Sequence, residues 1–321
     1  MDCVHIQARD IPDSWFQVID TCYRRGRDYI ITKGSYEGSK RRELDFVTIR
    51  IRHPCMQPRE TRLPTIPPAY GIPDPIPGGV EYVDDYAQYI LTPHIKENET
   101  YTYGSRLTGE LAANDSARPQ RSQMDEVIRR YKLCAAYDQK GRLDFLFALE
   151  RVSRPVNDSI VDRCSACAEN GVTKAAWDRH CIVDPATGAE MEALLCDEHG
   201  VRLGRAGAVK RNFATNQLSM TVAVPSDIHL NHSPCMREIG TRIYESSHED
   251  GGKLNFVIHF RSWDAWSGYP VNLCGLADLM DYMAGEIGVE PGEFICTSQG
   301  LHLYDMYWPL AKIRLAESSL E

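Results

Sequence analysis

From Lys253 to Phe260 the chain alternates strictly: Leu254, Phe256, Ile258 and Phe260 on one side, Asn255, Val257 and His259 on the other. Period two is the repeat of a β-strand, and a single apolar register means a sheet with one buried face. A different period follows. Leu273, Leu276, Met280, Met283 and Ile287 share one helical stripe over 273–287, and Gly288 stands where a left-handed cap belongs. A half-buried strand followed closely by an apolar helix restricts the chain to a sheet with helices layered against it. Leu218 to Val224 reads as another core strand. After a turn at Pro291-Gly292 come a strand over Phe294 to Thr297 and a final helix from about residue 303.

Upstream, residues 12–25 have the spacing of a helix that ends at Gly26. Residues 33–42 read as a polar turn, followed by a strand from Phe46 to Arg52. Eight prolines between Pro54 and Pro77 forbid regular structure there. Helical spacing returns over 80–91 and 122–133. Residues 133–212 differ in character and read as an insertion. The resulting expectation is an α+β protein with one interrupted domain, 1–132 plus 213–321, and an inserted subdomain at 133–212.

Charge limits the function classes. The sequence has 36 basic and 45 acidic residues, a formal charge of −9. An acidic chain lacks the broad basic surface that nucleic acid requires, yet a few arginines can still hold a small anion. No apolar run has the length of a membrane span. No N-terminal segment has the form of a signal peptide. Eleven cysteines in a chain of 321 residues then point to reduced thiols in a cytoplasmic protein, some serving as ligands or nucleophiles.

Two patches carry chemistry: Ser233-Pro234-Cys235-Met236-Arg237 and the run from Phe260 to Asn272. A hairpin between them would bring Cys235 to Arg261. A guanidinium favours the thiolate form of a nearby cysteine, and its planar fork grips phosphate at two points. Alone, a cysteine is more often core filler and an Arg-Ser pair ordinary surface.

The order and spacing of several short strings add to this. Pro234-Cys235, Arg261-Ser262-Trp263-Asp264, Gly268-Tyr269-Pro270-Val271-Asn272 and His302-Leu303-Tyr304 resemble the thymidylate synthase family, with most likeness to its shorter archaeal-type branch. Tyr101-Thr102-Tyr103-Gly104-Ser105-Arg106-Leu107 resembles that branch's tyrosine-glycine segment. The resemblance implies a thymidylate synthase-like fold and a homodimer. It also implies one-carbon transfer to C5 of a pyrimidine nucleoside monophosphate, most readily dUMP. Cys235 would attack C6. Arg261 and Ser262 would hold the phosphate, Asn272 would read the base, and His302 with Tyr304 would bind the sugar hydroxyl. Asp264 would meet the pterin of 5,10-methylene-tetrahydrofolate or a methanopterin analogue, and Tyr103 would join a proton relay. The nearer alternatives are a dUMP/UMP or (d)CMP 5-hydroxymethylase. A further one is a non-catalytic nucleotide-binding regulator.

The chain also departs from the family pattern. Met236 stands where the family usually has histidine. Asn216-Gln217 replaces an arginine pair, so Arg211, or Lys40, Arg41 and Arg42 of the early turn, are candidates for the remaining phosphate charge. Glu81 is the candidate general acid/base, with Glu99 as its rival. The chain ends soon after the sugar-binding string, without the family's longer lid.

Within the insertion, Cys164-Ser165-Ala166-Cys167 and Cys196-Asp197-Glu198-His199 form C-x2-C…C-x2-H. Two close pairs of this kind converge on tetrahedral zinc, and four protein ligands leave no open position, so the metal would be structural. His180 and Cys181 are second-ranked ligands. The alternative is a set of reduced surface thiols.

Overall fold

The computed structural model describes residues 1–32, 36–56, 86–97, 99–109, 122–135, 167, 178–183, 190–195, 216–230, 232–244 and 252–316. The molecule is α+β. A six-stranded sheet is built from β1 (Cys3–Ala8), β4 (Phe46–Ile51), β7 (Ser219–Thr221), β8 (Met236–Tyr244), β9 (Lys253–Phe260) and β11 (Glu290–Ser298), in the order β1-β4-β11-β9-β8-β7. The β1–β4 and β9–β11 pairs are parallel and the others antiparallel. The alternation of 253–260 is realised residue by residue: Leu254, Phe256, Ile258 and Phe260 are fully buried, whereas Val257 faces outward.

Three helices supply the second layer. They are α1 (Ile11–Arg25), α3 (Gln123–Ala135) and α4 (Gly268–Ile287). Asp10 caps α1, its side chain accepting from the Asp13 amide. Helix α4 starts five residues before the apolar stripe because Pro270 sits in its opening turn, where a missing N–H costs nothing. Fifteen of its twenty residues are buried, so it forms the centre of the core rather than a one-sided cover. Gly288 closes it with φ 82°, as the sequence indicates.

A second sheet, β10-β12-β3-β2, frames the site: β2 (Arg27–Ile30), β3 (Lys40–Leu44), β10 (Trp263–Asp264) and β12 (Leu301–Tyr304). Here the structure corrects the sequence reading. Residues 40–44 form a strand rather than the end of a turn, and 301–304 form a strand where a helix was expected; the helix α5 spans Trp308–Arg314. Both strands gain their hydrogen bonds from each other, His302 facing Glu43 and Tyr304 facing Arg41. Pro291-Gly292 is a bulge inside β11, not a turn ahead of it. A separate antiparallel pair, β5 (Asp178–Val183) with β6 (Glu190–Leu195), lies within residues 133–212. Among the described residues, no helix is long and apolar enough to cross a membrane.

Candidate active site

The hairpin β8–β9 determines the surroundings of Cys235. Cys235 directly precedes β8 and Arg261 directly follows β9, so antiparallel pairing returns them to the same end, where the Arg261 amide donates to the Cys235 carbonyl at 2.8 Å. The Arg261 guanidinium donates to the carbonyls of Ser233 and Pro234 at 2.7 and 3.2 Å. Burial pushes the Cys235 thiol above its ordinary value; Arg261, then Arg237, pull it back, and Asp264 pushes it up. The resting thiol is therefore protonated at neutral pH, beside two cations that stabilise the thiolate once it forms.

Tyr103 closes over Cys235. It opens the short helix α2 (Tyr103–Leu107), which Thr102 and Ser105 cap reciprocally. Its hydroxyl accepts from the Met236 amide at 3.2 Å, and burial drives its own ionisation well up. Tyr101 lies alongside, donating to the His232 carbonyl at 3.3 Å. The Met236 side chain is fully buried in the sheet's core, so the position after Cys235 has turned away from the site.

Opposite lies the second sheet. The His302 Nδ1–H donates to the Gly300 carbonyl at 2.9 Å, which leaves Nε2 as a bare acceptor, buried and without a hydrogen-bond partner among the described residues. Burial, with Arg41 and Arg261, lowers the His302 pKa to about 4, so the ring is neutral. The ring of Tyr304 meets that of His302 edge-on at 4.8 Å, and Tyr36 packs on Tyr304 at 4.6 Å. Ser262 Oγ stands 3.5 Å from His302 Nδ1. Asp264 Oδ1 accepts from the amides of Trp266 and Ser267, and burial raises its pKa.

Strand alternation separates the early arginines. Arg41 shares a face with Glu43, His302 and Tyr304, and pairs with Glu43 at 2.7 Å. Arg42 points the other way: it binds Asp28 at 2.7 Å and the Tyr23 carbonyl at 2.6 Å, and lies over the Tyr23 and Trp308 rings. Arg42 is thus held as a brace on the face of β3 away from His302 and Tyr304, because neighbouring residues of a strand face opposite sides. Lys40 sits on Arg42's side, near Asp28.

Asn272, early in α4, is buried. Its Oδ1 accepts from Trp263 Nε1 at 2.9 Å, and its Nδ2 donates to the Tyr86 hydroxyl at 2.5 Å. Gly275 makes room for this: a Cβ there would stand 2.7 Å from Ile90 and 3.2 Å from Tyr86. The sequence reading assigned no role to Trp263, Tyr86, Arg237 or Glu43. For Glu43 the only available signal was its two-residue offset from Arg41. Glu99 accepts from the Tyr89 hydroxyl and the Lys96 amide within its own loop. Glu81, Arg211, Cys164, Cys196 and His199 lie outside the described residues, and among the described residues no three metal-ligating groups converge.

A family model described as thymidylate synthase matches residues 207–320. A protein of Methanosarcina acetivorans called "Putative thymidylate synthase" is 36% identical over 94 residues, covering 29% of this chain and 41% of its own. A counterpart of the same name from Methanosarcina barkeri is 33% identical over 95 residues, covering 30% and 41%. The chain thus matches less than half the length of these relatives. Among solved structures, thermostable thymidylate synthase A from Bacillus subtilis superposes with a TM-score of 0.51 at 12% identity, over 96% of this chain and 84% of that one.

Proposed function

We propose, on the premise of the thymidylate synthase family that the match, the relatives and the fold support, that the chain methylates C5 of dUMP through a covalent Cys235 adduct. The observation that carries this reading is the convergence of Cys235, Arg261 and Tyr103 at one end of the β8–β9 hairpin, facing His302 and Tyr304. Arg261 and Ser262 bind the phosphate dianion, whose arrival frees the guanidinium from the two loop carbonyls. Arg41 adds charge on the same side. The His302 Nε2 lone pair, beside Tyr304, accepts from the sugar hydroxyl. Asn272 meets the O4 edge of the base.

Attack of the Cys235 sulfur on C6 forms the S–C bond and moves the ring's π electrons to C5 and O4, making C5 the carbon nucleophile. The Asn272 amide stabilises the charge at O4. Tyr103 holds the water chain that later removes the C5 proton, and elimination of the thiolate restores the ring. A carboxylate anchored by backbone amides fits the hydrogen-bond-donating edge of a pterin, so Asp264 would hold a reduced folate or methanopterin, which when bound would supply both the methylene carbon and the hydride that reduces it to methyl, leaving as the dihydropterin. Glu81 is proposed as the general acid/base, and Arg211 as further phosphate charge.

Two assembly features belong to the same reading. The six-stranded sheet leaves its outer face to residues such as Val257, Ile295 and Thr48, which supports a homodimer packed through that face. Residues 133–212 are proposed as a zinc-stabilised insertion held by Cys164, Cys167, Cys196 and His199. Support comes from the β5–β6 register: Asp178 pairs with Leu195, so the hairpin's entry and exit, each flanked by a ligand pair in sequence, share one end.

The test is incubation with 5-fluoro-dUMP and methylene-tetrahydrofolate, followed by peptide mass spectrometry. An adduct on the Cys235 peptide is expected. No adduct with any pyrimidine nucleotide and donor sinks the catalytic reading. The product mass from dUMP, UMP, dCMP and CMP separates methyl from hydroxymethyl transfer.

A further inference from the structure

A primary carboxamide is ambiguous towards pyrimidines. With its N–H towards position 4 and its oxygen towards N3 it matches uracil. Turned by 180° about its last bond, it matches cytosine equally well. An asparagine therefore selects between the bases only if something fixes its orientation.

The structure contains such a device. Trp263 Nε1 lies 2.9 Å from Asn272 Oδ1 in a buried setting. An indole N–H can donate and never accept, so this contact is satisfied in one amide orientation only. The other partner, the Tyr86 hydroxyl, both donates and accepts and so tolerates either orientation. Trp263 cannot turn aside. Its ring stacks on Phe260 at 3.9 Å with an interplanar angle of 7°, meets Tyr269 at 4.4 Å, and is 2% exposed. Turning the amide would set a buried N–H against a buried N–H and leave both without an acceptor.

We propose that Trp263 is a specificity-determining positioning residue: by donating to Asn272 Oδ1 it locks the carboxamide with its N–H edge towards the base, so that the site takes a 4-oxo and rejects a 4-amino pyrimidine nucleotide. The inference rests on the nucleotide-binding reading above and names what sets the base preference within it.

The test is calorimetric titration of the full chain with dUMP and dCMP, comparing wild type with Trp263→Phe, which keeps the stacking and removes only the donor. Wild type is expected to favour dUMP, and the variant to retain dUMP binding while its preference narrows by about tenfold, the usual consequence of losing a buried hydrogen-bond donor. A merely structural role would weaken both nucleotides alike. An unchanged preference in the variant overturns the proposal with the nucleotide site intact, as does a wild type indifferent to the base or favouring dCMP. A wild type that binds neither nucleotide overturns the underlying site and this inference with it. Should Trp263→Phe fail to fold, the indole proton of Trp263 in the wild type is read by NMR with dUMP bound. Slow solvent exchange supports the proposal, and fast exchange overturns it.

Discussion

The Arg261 amide donates to the carbonyl of Cys235 at 2.8 Å although the two residues are separated by a whole hairpin. The arginine proposed to bind phosphate is thereby tied to the backbone of the proposed nucleophile, and its guanidinium supplies the largest offset to the burial that holds the thiol protonated. Replacing Arg261 with Gln removes that offset. The pH profile of Cys235 alkylation by iodoacetamide should then move to higher pH, with slower modification at pH 8. A profile that stays in place or moves down contradicts the assigned electrostatics.

Cys235→Ser should abolish adduct formation and reduce turnover by at least about a thousandfold, since a serine hydroxyl is a far weaker nucleophile than a thiolate. Nucleotide affinity, measured by calorimetry, should change little. Retained turnover would exclude Cys235 as the attacking group.

Arg41 and Arg42 should separate cleanly. Arg41→Ala is expected to raise KM for the nucleotide with little change in melting temperature. Arg42→Ala should do the reverse, lowering stability by about 1–2 kcal/mol through loss of its ring contacts and of a partly exposed pair with Asp28. Denaturant titration with steady-state kinetics reads both, and the opposite pattern would reverse the assignment.

His302 links stability to pH. Its folded-state pKa lies near 4, below the ordinary 6.5, so between these values the unfolded chain binds a proton that the folded chain does not. Its contribution is fully present above pH 6.5 and is lost as the pH falls towards 4, on the order of 3 kcal/mol. His302→Gln should flatten the stability curve in that window. An equally steep curve in the variant places the proton uptake elsewhere.

The zinc proposal predicts about one zinc per chain by elemental analysis of carefully purified protein, falling towards zero in Cys196→Ser. Metal-free wild-type protein with an intact fold removes the claim.

What could be read in advance depended on how each element is stabilised. The strand 253–260 was legible because burial alternates along it, and Gly288 because a left-handed cap leaves few alternatives. Strands β2 and β3 were not. Arg27 to Ile30 is exposed throughout, and Lys40 to Glu43 is charged, so neither shows an apolar period; partners elsewhere in the chain make them strands. The same holds for the site. Cys235, Arg261 and His302 stand in short recognisable strings, whereas Tyr86 reaches Asn272 from 186 positions away. Trp263 lies inside a motif, but its role required knowing that α4 begins at Gly268.

The β8–β9 hairpin has one more consequence. Its far end, between Tyr244 and Lys253, is a strand's length from the nucleophile, roughly 30 Å at 3.3 Å per residue. Chemistry and chain connectivity therefore occupy opposite ends of the same ribbon. A short peptide inserted between Tyr244 and Lys253 would preserve the pairing of Cys235 with Arg261. That makes this end the place to carry a tag.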